Sequence, residues 1–258
     1  MRVNGADMSE SKGRPLLHQP KQTKPPSSPE IANRLQNALA LHQQGQLGLA
    51  GALYQKILKQ EPDHFDALHL LGVIESQRKN FAAALLFIGR ALKLNSNYAS
   101  AHSNMGNALR ELKRHEEALA SYDRALAIRP DYAEALNDRG AALHQLKRYE
   151  EAFASYDRAL AIRPDDAEAL NNRGAALHQL KRYEEALASY DRALAIKPDS
   201  AETLNNRGNT LLELKWHEEA LASYDCALAI RPDFAEVLHN RGNVLRDLKR
   251  QKESARQQ

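Results

Sequence analysis

The chain has 258 residues, a net charge of +3, 43% hydrophobic residues and a single cysteine. One cysteine excludes an intramolecular disulfide framework and points to a reducing compartment, and the lack of an N-terminal apolar segment or a run of about 18 apolar residues argues against secretion and against a membrane span, so a soluble cytoplasmic protein is expected. Residues 1–30 hold five basic residues against three acidic ones, leaving +1 for the remainder, where Lys-Arg and Glu-Glu pairs alternate; the concentrated positive charge that nucleic-acid binding needs is missing.

Residues 1–30 contain Pro15, Pro20, Pro25, Pro26 and Pro29 among Ser, Lys and Gln, without apolar periodicity, and read as a disordered leader. From Ile31 onward a period of thirty-four is marked by Gly72, Gly106, Gly140, Gly174, Gly208 and Gly242, and by Pro62, Pro130, Pro164, Pro198 and Pro232, with Ser96 in place of one proline. The expected units are 31–64, 65–98, 99–132, 133–166, 167–200 and 201–234, then a partial unit 235–250 and a polar tail 251–258. Units 133–166 and 167–200 differ at four positions only: Asp138/Asn172, Phe153/Leu187, Arg163/Lys197 and Asp166/Ser200. Near-duplicate segments have like neighbours, the signature of an array rather than of one globular core.

Within a unit, Leu170, Leu177 and Leu180 share one helical stripe with Gly174 beside them, and Tyr183, Ala186, Leu187, Tyr190, Ala193 and Leu194 follow i, i+3, i+4, i+7, so each unit is two amphipathic helices. The spacing of Asp165 with Glu168 and of Asp199 with Glu202 predicts aspartate N-caps answered by glutamate at N3, the preceding proline ending the earlier helix. Gly174 and Ala186 are expected to let the two helices approach closely, with Tyr190 filling the space beside them. Cys226 stands where sister units carry Arg124, Arg158 and Arg192 and reads as a surface position.

Leu170, Arg173-Gly174, Leu177, Ala186, Tyr190 and Pro198 fit the pattern of the tetratricopeptide repeat family, and the resemblance runs from about residue 31 to 250. It implies an all-α fold, a right-handed superhelical solenoid of helix-turn-helix repeats whose first helices line a concave groove. One departure is systematic: Arg139, Arg173, Arg207 and Arg241 stand where the family usually has leucine. The arginine stem is expected to pack while its head reaches an acidic group such as Asp157 or Asp191 on a second helix.

Glu168, Asn172, Ala175 and Gln179 form a stripe on the first helix away from Leu170 and Leu177. The sixth position of successive units holds Asn104, Asp138, Asn172, Asn206 and Asn240. Asparagine is a poor helix former, and its amide both donates and accepts, as an extended peptide backbone does. The row is similar to the asparagine ladder in the repeat region of SPINDLY-type O-linked N-acetylglucosamine transferases, and that resemblance implies rungs holding a client's main chain. Asp138 interrupts it, since a carboxylate only accepts. Asn107, Asn209, Asn243, His144, His178, Gln145 and Gln179 are the expected contributors to side-chain selectivity. The alternative is that duplication copied the asparagines, their amides being solvated or bridging adjacent helices.

The histidines show no HxxxH spacing and no Cys/His cluster, so no metal site is expected; no GxSxG, glycine-rich phosphate loop or nucleophile with a base partner is present, so neither catalysis nor a cofactor is expected. The reading is a non-catalytic scaffold that binds an extended segment of a partner protein, without nucleic acid or membrane as partner. The alternative is the substrate-recruiting arm of a glycosyltransferase whose catalytic domain lies elsewhere. Self-association through an uncapped C-terminal face is a further expectation.

Overall fold

The computed structural model describes residues 28–256. Among them the regular elements are thirteen α-helices: α1 Pro29–Gln43, α2 Leu47–Gln60, α3 Phe65–Gln77, α4 Phe81–Leu94, α5 Ala99–Glu111, α6 His115–Ile128, α7 Ala133–Gln145, α8 Tyr149–Ile162, α9 Ala167–Gln179, α10 Tyr183–Ile196, α11 Ala201–Glu213, α12 His217–Ile230 and α13 Ala235–Arg256. The odd-numbered helices are termed A and the even-numbered B. Each A helix packs on the B helix of its own unit and on the B helix before it, giving the expected solenoid. Most of the expected leader lies outside the described residues. Its last residues do not: Ser28 accepts from the Ile31 amide and Pro29 opens α1, two residues before Ile31, because proline is well tolerated in the first turn of a helix. At the other end α13 runs through position 250 to Arg256. No helix among the described residues is long and apolar enough to cross a membrane.

One contact sets the angle of every complete hairpin from unit 99–132 onward. Tyr122, Tyr156, Tyr190 and Tyr224 on the B helices lie fully buried over Gly106, Gly140, Gly174 and Gly208 of their A helices. A Cβ added to Gly174 would lie 2.5 Å from the Tyr190 ring, so only glycine admits this approach. In unit 65–98 Ile88 takes the ring's place over Gly72. Gly242 on α13 has nothing within 4 Å of an added Cβ.

The A-to-B turn is built on a lysine. Lys79, Lys113, Lys147, Lys181 and Lys215 all adopt left-handed backbone, with φ between 59° and 66°, and Gly45 does so in the first unit. The Lys181 amide bonds the His178 carbonyl and the Arg182 amide the Leu177 carbonyl, the paired bonds that close a helix C-terminus around a left-handed residue. Lys249, at the same place in the period, lies inside α13.

The arginine departures are satisfied as expected, and further. Arg173 Nε donates to Asp157 at 2.5 Å on the preceding B helix, and a second guanidinium nitrogen donates to Ser189 Oγ at 2.6 Å on its own. Arg139 bridges Asp123 and Ser155, and Arg207 bridges Asp191 and Ser223, in the same way. Each head thus ties two successive B helices through the A helix between them. The N-caps differ from expectation. With Ala167 as the first helical residue, a side chain must sit at 166 to reach the N2 and N3 amides; Asp166 therefore accepts from Glu168 and Ala169, and Ser200 from Thr203, in place of Asp165 and Asp199.

Gly174→Ala is expected to force Tyr190 off its site and to cost roughly 1–3 kcal/mol, the range for overpacking. Lys181→Gly is expected to stabilise by about 0.5–1 kcal/mol, because a side chain in left-handed backbone costs more than the freedom glycine adds to the unfolded chain. Chemical denaturation of the two variants checks both signs.

Candidate functional site

Successive A helices also touch one another, α3 with α5, α5 with α7, α7 with α9 and α9 with α11, as elements on the inner arc of a curved stack do. Side chains at equivalent positions of these helices therefore stand side by side. The sixth-position residues are half-buried there, and each asparagine amide already donates to a neighbouring unit. Asn104 meets His69 at 3.0 Å, Asn172 donates to Asn137 at 3.2 Å, Asn206 to Asn171 at 3.1 Å, and Asn240 to Asn209 at 3.0 Å. Asn137 in turn donates to Glu168 at 3.4 Å. The bridging alternative is thus true of the NH2 groups. The carbonyl ends differ: among the described residues none donates to the side-chain oxygens of Asn104, Asn206 or Asn240, and Asn172 receives only a long 3.5 Å contact from Asn171. The row presents acceptors.

Asp138 is not a weakened rung but half of an ion pair. Arg110 on the preceding A helix donates to it at 2.8 Å. Burial raises the Asp138 carboxyl above its ordinary range, with Arg110 and Asn107 acting against that. Asn107 is engaged further by the Tyr122 hydroxyl, which donates to it at 2.6 Å.

The ninth position separates the units into two kinds. Where it is asparagine, as at Asn107 and Asn209, it accepts from the tyrosine of its own hairpin at 2.6 Å. Where it is alanine, at Ala141 and Ala175, recesses of about 240 Å³ and 230 Å³ open in the inner wall. The first brings together His144, Gln145, Asn172 and Asn206; the second adds His178, Gln179 and Asn209. Seven of the twelve expected residues thus converge. Asn104, Asp138 and Asn240 lie along the same wall outside the recesses, Asn107 lines a separate hollow with Phe81 and Glu111, and Asn243 receives Arg246. Sequence reasoning placed Ala175 on the groove stripe but missed Asn171, Ala141 and the hydroxyls of Tyr156 and Tyr190; a unit-by-unit comparison of position nine carries the signal for all but the first.

His178 Nδ1 meets Thr210 at 2.9 Å, and its ring stands edge-on to Tyr183, as that of His144 does to Tyr149. Burial lowers the pKa of both histidines, opposed by the Ala175 backbone at His144 and by Glu213 at His178, so both are neutral near pH 7.

Because the folded state holds the Asp138 proton more tightly than the unfolded state, this group's contribution to stability is complete below the unfolded aspartate pKa of about 3.9 and declines as pH rises through the folded value. Asp138→Asn is expected to abolish that decline, which melting temperatures of the two proteins between about pH 3.5 and 6 will show.

Models described as tetratricopeptide repeat match residues 35–99, 97–165, 167–200 and 189–222, and one described as TPR repeat matches 208–248. No curated protein matches the chain. Among solved structures it is similar to YrrB, described as a TPR protein with an unusual peptide-binding site, at 24% identity and TM-score 0.62 over 73% of this chain and 97% of that one. It is also similar to pilF of Pseudomonas aeruginosa, at 20% identity and TM-score 0.73 over 83% and 97% of the two chains. The similarity to MamA is 21% identity and TM-score 0.59 over 67% and 94%. At these identities the likenesses carry the fold alone, and with the sequence matches they give one result: residues 35–248 are an array of tetratricopeptide repeats.

Proposed function

We propose that the chain is a non-catalytic scaffold that holds an extended segment of a partner protein along the inner wall formed by its A helices. The observation that carries this reading is the row of asparagines whose donors are engaged within the wall while their carbonyl oxygens stand open. An acceptor row matches the N–H groups of a client main chain. Each such bond is worth a net ~0.5–1.5 kcal/mol, so four rungs, less the cost of ordering the client, correspond to roughly micromolar affinity. The peptide-binding site of YrrB, a protein of similar fold, supports the same role.

The asparagine row also supports the finer reading of a substrate-recruiting arm for an O-linked N-acetylglucosamine transferase, in which case a nucleotide-sugar-binding polypeptide co-purifies with the chain. Self-association is supported by α13, where Leu238 and Leu245 are 49% and 40% exposed beside the open Gly242. Light scattering over a dilution series is then expected to show a mass that rises with concentration, and Leu238→Glu with Leu245→Glu to remove the rise.

The groove reading is tested with random twelve-residue peptides displayed against the full chain. Replacing Asn104, Asn172, Asn206 and Asn240 by alanine together is expected to weaken the selected peptides at least tenfold while helicity is kept; equal affinity for both proteins refutes the groove.

A further inference from the structure

The two recesses on the inner wall are copies of one device, one repeat apart and sharing a wall of His144, Ala175 and Asn206. What makes them is a deletion. In units 99–132 and 201–234 an asparagine at position nine fills this space and takes the hydrogen of the buried tyrosine, as Asn107 does for Tyr122 and Asn209 for Tyr224. In the two central units alanine stands there; Tyr156 faces the first recess, and Tyr190 is engaged by the Thr210 side chain instead of an asparagine. Tyr156 is 2% exposed and lines the first recess. In the same recess His144 Nε2 is buried without a hydrogen-bond partner. A buried polar group left unpaired costs about 1–3 kcal/mol, and His144 Nε2, whose residue lines both recesses, carries that penalty. A ligand that supplies the missing partner removes it.

The lining defines that ligand. No Asp, Glu, Lys or Arg lines either recess, and histidine with an ordinary pKa near 6.5 is mostly neutral at pH 7. A charged side chain entering here would lose its water with no countercharge, whereas a hydroxyl or carboxamide finds both donors and acceptors. At about 240 Å³ and 230 Å³ each recess has the room of roughly eight waters. That suits one residue of a client and falls below the ~300–1,000 Å³ of cofactor pockets.

The spacing defines the client's backbone. Neighbouring helices lie on the order of 8–10 Å apart, and the recesses sit on successive A helices, so that range sets the scale of their spacing. In a β-strand, side chains on one face recur about every 6.7 Å, which does not match one repeat. In a polyproline II helix they recur every three residues, about 9.3 Å, and its N–H groups have no internal partner and are free to meet the acceptor row.

Resting on the groove reading, we propose that the recesses at Ala141 and Ala175 are paired selectivity pockets. They receive two uncharged hydrogen-bonding side chains, Ser, Thr, Asn or Gln, standing three residues apart on a client in polyproline II conformation.

The test uses the full chain and the same random twelve-residue peptide library, with the double variant Ala141→Asn, Ala175→Asn as comparison. The variant imports the residue that units 99–132 and 201–234 already carry, so its melting temperature is expected to equal or exceed that of the parent. Peptides selected on the parent are expected to show Ser, Thr, Asn or Gln at two positions three apart and to bind the variant at least tenfold more weakly. Peptides that lose affinity for the fourfold asparagine-to-alanine protein but bind the double variant as well as the parent overturn the pockets and leave the groove standing. Selection of charged or large apolar residues at those positions overturns them too. Recovery of no peptide sensitive to either variant overturns both readings.

Discussion

From unit 99–132 onward the stack depends on a tyrosine ring lying directly on a glycine. The contact fixes how closely the two helices of a hairpin approach, and it recurs from Gly106 with Tyr122 to Gly208 with Tyr224 with almost the same separation. Identical hairpins stacked by identical contacts generate a constant rotation per unit, and a constant rotation places equivalent side chains in rows. The rows are where function can reside: no single unit has a wall, but several in register do.

A second, polar layer reinforces the stack. The arginines that replace the family's leucine do not lie idle at the surface; Arg139, Arg173 and Arg207 each join two B helices through an aspartate and a serine, and Arg241 binds Asp225 of the B helix before it. On the inner arc the amides do the corresponding work between A helices. Asn172 and Asn206 reach back to position five of the preceding unit, and Asn137 reaches forward to Glu168. Hydrogen bonding across unit borders thus occurs on both sides of the apolar seam.

Much of this was legible in the sequence, because periodic features announce themselves by repetition. The unit length, the two helices per unit, the closeness at Gly174 and the reach of the arginine heads to an aspartate of a B helix follow from stripes and side-chain chemistry alone; the stacked structure assigns Asp157 to Arg173 and Asp191 to Arg207. The capping residues were misread because Asp165 and Asp166 are adjacent and the spacing to Glu168 favours the wrong one; only the true start of α9 decides. Asp138 read as a fault in the asparagine row because its partner, Arg110, lies on the A helix of another unit, and the pair emerges only when the units are stacked. The recesses were hidden for the opposite reason: alanine at Ala141 and Ala175 looks unremarkable until Tyr156 and Tyr190 are seen without the asparagine that Tyr122 and Tyr224 have.

The left-handed lysines have a consequence for how the array comes apart. The triplet Leu-Lys-Arg is a turn at 146–148 and 180–182 and continuous helix at 248–250, so the triplet itself does not dictate the reversal; the returning helix imposes it. When a terminal B helix lets go, its lysine relaxes to ordinary helical backbone and regains about 1–2 kcal/mol, and the hairpin straightens into a single rod. The proline after every B helix except α4 keeps such a rod from extending past one hairpin, so loss of structure from an end proceeds hairpin by hairpin, and the reverse step needs the rod to break at its lysine.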